Sequence, residues 1–360
     1  MMLGVDVGGT FTDAVLFDGE AVHTAKLPTT PADQSIAVIA AVEQVLRQAG
    51  AVAQDVESFA HGMTVGTNAL LEEGGARTAL IATAGFADLL EIGRQDRPDL
   101  YRLCSPKPRP LVEPELRFEA AERVGPEGEV EPLAEGEVER LAAQVRAGGA
   151  KSVAICLLFS YLDPGHERAI AERLRRELPG VHVSASHEVL PRFREYERCS
   201  TTTIDAYLSP LLGRYLGRLS DAAARAGLPR PLVMQSSGGV APAGEAARAG
   251  AWSVLSGPAG GAVGAGLLAG ASGDGNALGL DMGGTSCDVC VIEDGAVRRT
   301  DSRQIDGRTI QLPWSTSTPS APVAARSAGG TRAARCGSGR ARPGQTQARR
   351  ATGAVEPNRP

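Results

Sequence analysis

The sequence predicts an α/β protein of two domains, and three observations carry that prediction. Stretches of strand length alternate with helical periodicities through the first 313 residues. One strand–glycine turn–strand unit occurs twice. Leu3–Asp13 (LGVDVGGTFTD) returns as Leu278–Asp288 (LGLDMGGTSCD), and each copy runs on into Asp-Gly, at Asp18-Gly19 and Asp294-Gly295. The chain of 360 residues is 42% hydrophobic and 22% charged, enough for two cores, and with 4% aromatics those cores must be built mainly from Ala, Val, Leu and Ile. The boundary falls between Ser184 and Glu195, giving domains 1–188 and 189–313.

After the first hairpin, Val22–Leu27 reads as a strand. Thr30-Pro31-Ala32-Asp33 opens a helix, with Thr30 as N-cap, Pro31 in the first turn and Asp33 at the positive end. Its apolar face is Ile36, Ile39, Ala40 and Leu46, and Gly50 stops it. Ser58–His61 is a short strand ending in a glycine turn, Thr64–Glu72 a helix, Thr78–Ala82 a buried strand and Phe86–Leu90 a short helix. Arg94–Pro110, rich in proline and arginine, reads as an ordered loop. Glu135–Ala147 is an amphipathic helix, Ser152–Leu158 a buried strand, Pro164–Leu178 a helix and Val181–Ser184 a strand. Glu195–Ala226 is a long helical segment expected to break near Pro210. Leu232–Gln235 enters the Ser236–Gly239 turn, and Ser256–Gly261 leads into a helix of small residues over Ala262–Ala269.

The repeated turn has a chemistry. Gly-Gly lets the backbone approach an anion without a Cβ clash, and successive turn N–H groups form an anion-binding nest. Gly8, Gly9, Thr10 and Thr12 in one copy, and Gly283, Gly284, Thr285 and Ser286 in the other, supply amide and hydroxyl donors. Two such hairpins facing each other would clamp a polyphosphate. Asp6 and Asp281 end their strands just before the glycines, where a carboxylate repels phosphate unless a hard cation stands between them, which implies Mg²⁺. His61 suits a metal ligand or an acid/base group beside that cleft, or a hydrogen-bonded histidine at a strand end. Arg94 and Arg97 suit a substrate carboxylate or a loop salt bridge, and Glu195 and Glu197 read as ion-pairing residues.

Net charge of −5 argues against a nucleic-acid partner, and no apolar run reaches membrane-spanning length. Six scattered cysteines fit reduced thiols in a cytoplasm. Cys287-x-x-Cys290 lies inside an expected strand with no second pair, so it reads as structural.

From Trp314 the character changes. Residues 314–360 contain no Leu, Ile, Met, Phe or Tyr and carry eight arginines against one acid, Glu356. Such a basic stretch is expected to be disordered. We read it as out of frame after about Pro313: with suitable codons the alternate frame spells MVDIHTVGAGG, an apolar strand followed by glycine turns, and the gene's DNA decides the point. The second domain is then incomplete, and turnover by this chain is expected to be poor or absent.

These segments together resemble the hydantoinase A/5-oxoprolinase family, which includes N-methylhydantoinase and ATP-dependent ketone carboxylase subunits. The resemblance rests on Asp6–Asp13, His61–Leu70, Gly85-Phe86 through Glu91–Gln95 to Arg97–Tyr101, Arg194–Arg198, Ser256–Gly261 and Asp281–Ser286. It implies an actin/Hsp70/sugar-kinase-like (ribonuclease H-like) fold with a nucleotide in the cleft. It implies Asp6 and Asp281 near Mg²⁺, Gly8–Thr12 and Gly283–Ser286 on the ATP phosphates, and Asp6, Asp281 and His61 as the residues of catalysis. The implied activity is ATP-dependent hydrolysis of a cyclic amide of hydantoin or 5-oxoproline type. The alternatives are a ketone carboxylase subunit or a non-catalytic nucleotide-binding remnant. A hydantoinase B-type subunit is the implied partner.

Overall fold

Alternation decides the first sheet. Strand β1 (Met2–Val7) buries Leu3, Val5 and Val7 and leaves Asp6 on the other face. It pairs antiparallel with β2 (Phe11–Phe17), which pairs with β3 (Val22–Pro28). The computed structural model describes residues 1–96, 101, 108–282, 287–315 and 317–320.

Helix α1 (Gln34–Ala49) begins later than Thr30 predicts. Asp33 is the N-cap, its carboxylate accepting from Ser35 N at 3.1 Å, and Gly50 ends the helix at φ 63°. Its buried stripe is Ala37, Val38, Ala41, Val42, Val45 and Leu46, and Ile36 is 61% exposed. The expected face was therefore turned: on a helix of 3.6 residues per turn Ile36 stands roughly 100° away from Ala37. Asp33 also meets Arg218 at 3.2 Å. Asp33→Ala is expected to lower stability by about 1 kcal/mol, read as a shift of the urea midpoint.

The chain continues through β4 (Ser58–Met63), α2 (Val65–Leu71), β5 (Thr78–Thr83), α3 (Leu89–Ile92), β6 (Arg117–Ala120) and the small hairpin β7 (Arg123–Gly125) and β8 (Gly128–Glu131). Then come α4 (Glu137–Ala147), β9 (Ser152–Cys156), α5 (Gly165–Glu177), β10 (His182–Ala185) and α6 (Ser186–Val189). Strands β10-β9-β5-β6 form a wholly parallel sheet. Every residue of β5 and β9 is buried, as a parallel sheet covered on both faces requires.

Helix α7 (Glu195–Arg225) runs uninterrupted through Pro210, where a break was expected. The tertiary frame overrides the local defect. Leu208 and Leu212 are fully buried on either side of the proline, and the Ser209 hydroxyl donates to the Asp205 carbonyl at 2.8 Å and accepts from Gly250 N at 3.0 Å. Cys199 and Ala206 of α7 pack into the core of the parallel sheet, while Ile204, Tyr207 and Leu208 and, further on, Leu212, Tyr215 and Leu219 pack into the core of the first sheet.

Beyond it lie β11 (Leu232–Met234), β12 (Val240–Pro242), α8 (Ala243–Ala246) and α9 (Ser256–Ala271). The first sheet has the order β12-β11-β4-β1-β2-β3, with β1, β4 and β11 parallel. It therefore crosses the boundary drawn between Ser184 and Glu195. The pairing of β11 with β4 joins segments far apart in sequence, and no local signal announces it.

The second copy of the repeat is β13 (Ala277–Met282) and β14 (Cys287–Glu293). It reproduces the register of the first: Asp6 faces Asp13, and Asp281 faces Asp288. Strand β14 continues through Asp294-Gly295 into β15 (Ala296–Val297). Then follow β16 (Arg299–Thr300), β17 (Arg303–Ile305), β18 (Arg308–Ile310), β19 (Trp314–Ser315) and β20 (Ser317–Ser320). β17 and β18 form a hairpin around Asp306-Gly307, both at positive φ. It docks on α7, with the Ser200 hydroxyl on Thr309 O at 2.6 Å.

Regular structure thus runs past Pro313, where a disordered tail was expected to begin. Trp314 is 1% exposed in the first core, β19 pairs with β16, and β20 pairs with β14. The indole has apolar neighbours to bury against, and composition averaged over the tail hides this single anchor. Residues 321–360 lie outside the described residues. Among the described residues no helix is long and apolar enough to cross a membrane.

Candidate functional site

The site is a product of strand parity. Residues directly opposite in a ladder share a face. Asp6 stands opposite Asp13 on β2 and Gly62 on β4, and Asp13 stands opposite Lys26 on β3. One face of the first sheet therefore carries Asp6, Asp13, Lys26 and the bare Gly62. Lys26 Nζ lies 2.8 and 2.9 Å from the Asp13 carboxylate oxygens and 5.0 Å from the centre of the Phe11 ring.

The turn between β1 and β2 is held from behind. Gly8 N donates to Phe11 O at 2.9 Å. The Val7 carbonyl accepts from Thr64 N and from the Thr64 hydroxyl, at 3.0 and 3.1 Å. The Thr29 hydroxyl donates to Gly8 O and its amide to Thr10 O, each at 2.9 Å. The carbonyls of Val7, Gly8 and Thr10 are thus occupied, while the amides of Gly9 and Thr10 donate to no acceptor among the described residues. Such free amides on a fixed turn are what an anion needs.

Helix α9 closes the recess. The Ser256 hydroxyl donates to Met63 O at 2.9 Å, fixing the first turn of α9 to the end of β4. A Cβ on Gly257 would lie 3.4 Å from Asp6 Oδ1, so the positive end of the helix abuts this carboxylate. A Cβ on Gly62 would lie 2.6 Å from the same oxygen. The absence of a side chain at Gly62 is what lets the carboxylate occupy its position.

Electrostatics tie the two hairpins together. Burial raises the Asp6 pKa first, the negative charges of Asp13 and Asp281 raise it further, and Lys26 opposes them. The Asp288 pKa is also raised, by burial and then by Asp281, against the pull of Arg303. Each hairpin thus pairs two facing aspartates with one nearby cation, and acid outnumbers base. A hard cation would relieve that excess. No cluster of three or more His, Cys, Asp or Glu side chains among the described residues is arranged to cage a metal. One or two carboxylates with the remaining ligands from water and phosphate is the Mg²⁺ pattern, and Asp6 with Asp281 fits it.

Three of the sequence expectations change. His61 shares its face with Phe59 and Met63, is fully buried, and bonds through Nε2 to the Tyr215 hydroxyl at 2.8 Å. It lies on the opposite face of the sheet from Asp6, and burial lowers its pKa to about 4, so it is a neutral core histidine. Thr12 is likewise on the core face, fully buried, with its hydroxyl 3.1 Å from that of Thr29, so it is no donor to the recess. Thr10 is exposed there. Arg94 is bound by Glu197 and Arg198 by Glu195, so the carboxylates of the Glu195 segment pair with cations and Arg94 is not free for substrate. Gly283, Gly284, Thr285, Ser286 and Arg97 lie outside the described residues.

Sequence reading passed over Gly62, Lys26 and the pairing role of Asp13. The signal was present: alternation in Ser58–Met63 sets Phe59, His61 and Met63 on one side and Gly62 on the other.

Residues 2–178 match the model for the hydantoinase/oxoprolinase N-terminal region, and residues 198–356 match the model for hydantoinase/oxoprolinase. The chain is 36% identical to caprolactamase subunit alpha of Pseudomonas jessenii over 81% of its own length and 43% of that protein. It is 36% identical to 5-oxoprolinase 1 of Arabidopsis thaliana over 86% of its length and 27% of that protein. Among solved structures, the ATP-dependent caprolactamase from P. jessenii superposes with a TM-score of 0.81 at 32% identity, covering 89% of this chain and 48% of that one. A nucleotide-free acetone carboxylase superposes with a TM-score of 0.78 at 27% identity, covering 89% and 47%. The chain spans less than half the length of these relatives.

Proposed function

The chain belongs to the hydantoinase/oxoprolinase family, with the α/β fold of the actin/Hsp70/sugar-kinase type, and on that premise we propose that its recess grips the phosphates of Mg-ATP to drive opening of a cyclic amide. The observation that carries the reading is the Asp6 carboxylate, set between Asp13, Asp281 and the start of α9, over a glycine whose side chain it would otherwise strike.

The chemistry follows from what an amide lacks. Nitrogen donates into the carbonyl, so the amide carbon is a poor electrophile and the nitrogen a poor leaving group. Transfer of the γ-phosphoryl group of ATP to the amide oxygen, with ADP leaving, would make the carbon electrophilic, provided phosphate and substrate are held in line. Water then adds to the carbon, the C–N bond breaks as the nitrogen takes a proton, and hydrolysis of the resulting acyl phosphate releases inorganic phosphate and the carboxylate. The free amides of Gly9 and Thr10, with the exposed Thr10 hydroxyl, would hold phosphate oxygens from one side. Gly283–Ser286 would hold them from the other. Asp6 and Asp281 would hold Mg²⁺, which when bound neutralises the phosphate charge. Lys26 keeps Asp13 paired and offsets the negative potential at Asp6. Buried thiols at Cys156, Cys199 and Cys290 suit a reducing compartment such as the cytoplasm, and a hydantoinase B-type subunit is the partner we expect.

Likeness to acetone carboxylase supports a second reading, carboxylation of a ketone in place of amide hydrolysis. Bicarbonate dependence separates the two.

Titration of Mg-ATP into the purified chain tests the proposal. Saturable binding is expected, lost on chelation of Mg²⁺ and weakened about tenfold or more by Asp6→Asn. Binding indifferent to both treatments, or none at all, refutes the assignment. Hydantoin, 5-oxoproline, and a ketone with bicarbonate are the substrates to compare in ATP hydrolysis.

A further inference from the structure

A second cavity, of about 730 Å³, opens beside β10, the edge strand of the parallel sheet, where α7 passes it. None of its lining residues belongs to the Asp6 recess. Its polar centre is a hydrogen-bonded chain. The Ser184 hydroxyl donates to Asp205 Oδ2 at 2.7 Å, and Asp205 Oδ1 accepts from Ala251 N at 3.0 Å. His182 Nε2 stands 3.1 Å from the Ser184 oxygen.

Proton counting fixes the direction of this chain. Serine has one proton, and Asp205 takes it, so Ser184 accepts from His182 and Nε2 carries the ring proton. The imidazole is neutral, since burial first and then the Arg175 charge lower its pKa to about 4. Nδ1 is therefore an acceptor, and it has no partner among the described residues. The charges on the wall are unbalanced as well. Arg175 is bound to Glu188, and Asp205 is satisfied by Ser184 and Ala251. Lys151 and Arg248 line the cavity, both exposed and without an acidic partner among the described residues. Trp252 and Pro210 supply an apolar surface.

From these features we infer that the cavity is a binding site for a small carboxylate that also carries an N–H donor, an acylated amino acid in chemical class. Lys151 and Arg248 take the carboxylate, His182 Nδ1 accepts from the N–H, and Trp252 covers the carbon skeleton. The site is independent of the phosphate recess, and so is its test.

N-acetylglycine is the probe, and N-acetylsarcosine, which lacks the N–H, is its control. Binding is followed by calorimetry on the full chain. N-acetylglycine is expected to bind saturably, and N-acetylsarcosine about tenfold more weakly. The double substitution Lys151→Ala/Arg248→Ala changes two exposed residues and is expected to weaken N-acetylglycine about tenfold while leaving Mg-ATP binding and thermal stability as they are. No saturable binding overturns the inference. So does equal affinity for the two probes, or an affinity unmoved by the double substitution.

Discussion

Gly62→Ala is expected to weaken Mg-ATP binding about a hundredfold and leave the protein folded. The new methyl would stand 2.6 Å from Asp6 Oδ1, far inside contact distance. What it strikes is the end of a rotatable side chain, so the clash is relieved by swinging the carboxylate aside. Strand pairing is untouched, since β4 keeps its ladder to β1 and β11. The cost falls on the one atom the recess cannot spare, and a loss of about a hundredfold in affinity is the expected scale for removing a charge-assisted contact together with its geometry. Gly4 supplies the control. It lies on the same face of β1, and a Cβ there meets nothing within 4 Å. Gly4→Ala should bind as the parent does. Calorimetry of the two variants, with circular dichroism to confirm folding, decides the matter. Equal binding by Gly62→Ala and the parent would show that Asp6 does not act from this position.

Acid is expected to destabilise the protein through His61. Its pKa is lowered from 6.5 to about 4 by burial, so the unfolded chain takes up the proton first. Stability tied to this group is fully present above pH 6.5 and is lost as pH falls toward 4, by about 3 kcal/mol at the end of the window. Asp205 acts with the opposite sign. Burial raises its pKa from 3.8 to about 6, so its contribution is greatest below 3.8 and declines as pH rises through 6. The two overlap with each other and with His182, whose pKa is also lowered to about 4 and which acts in the same sense as His61, and substitution separates them. In His61→Phe the fall in urea midpoint between about pH 6.5 and 4 should become shallower, at a neutral-pH cost of about 1–2 kcal/mol for the stranded Tyr215 hydroxyl. In Asp205→Asn the fall should steepen, because the opposing contribution is gone. A His61→Phe profile parallel to that of the parent would place the acid sensitivity elsewhere.

Much of this molecule is legible in its sequence because the repeated hairpin is a local object. Alternation, Gly-Gly and Asp-Gly specify strand, turn and strand within a few residues, and the two copies share one register. The Glu137–Ala147 and Gly165–Glu177 helices and the buried Thr78–Thr83 and Ser152–Cys156 strands were legible for the same reason. His61 and Thr12 were misplaced because residue type was allowed to outrank parity. Each sits in a strand whose apolar neighbours two positions away already assign it to the core. The closing of the first sheet by Leu232–Pro242 was illegible for a different reason. Strand partnership over such a separation is decided by the whole assembly, as is the survival of α7 through Pro210.

Helix α7 carries a consequence for how the protein comes apart. At 31 residues it is roughly 46 Å of continuous rod, long enough to serve as a beam for both sheets. Its side chains reach both cores, Cys199 and Ala206 the one and Ile204, Tyr207, Leu208 and the later turns the other, so the two shares overlap ahead of Pro210. Neither half can melt while the other keeps its share of the rod without leaving a torn helix end and a bare apolar flank. Heat or urea should therefore meet one indivisible body, and a fault introduced beside one sheet should be felt as fragility in both.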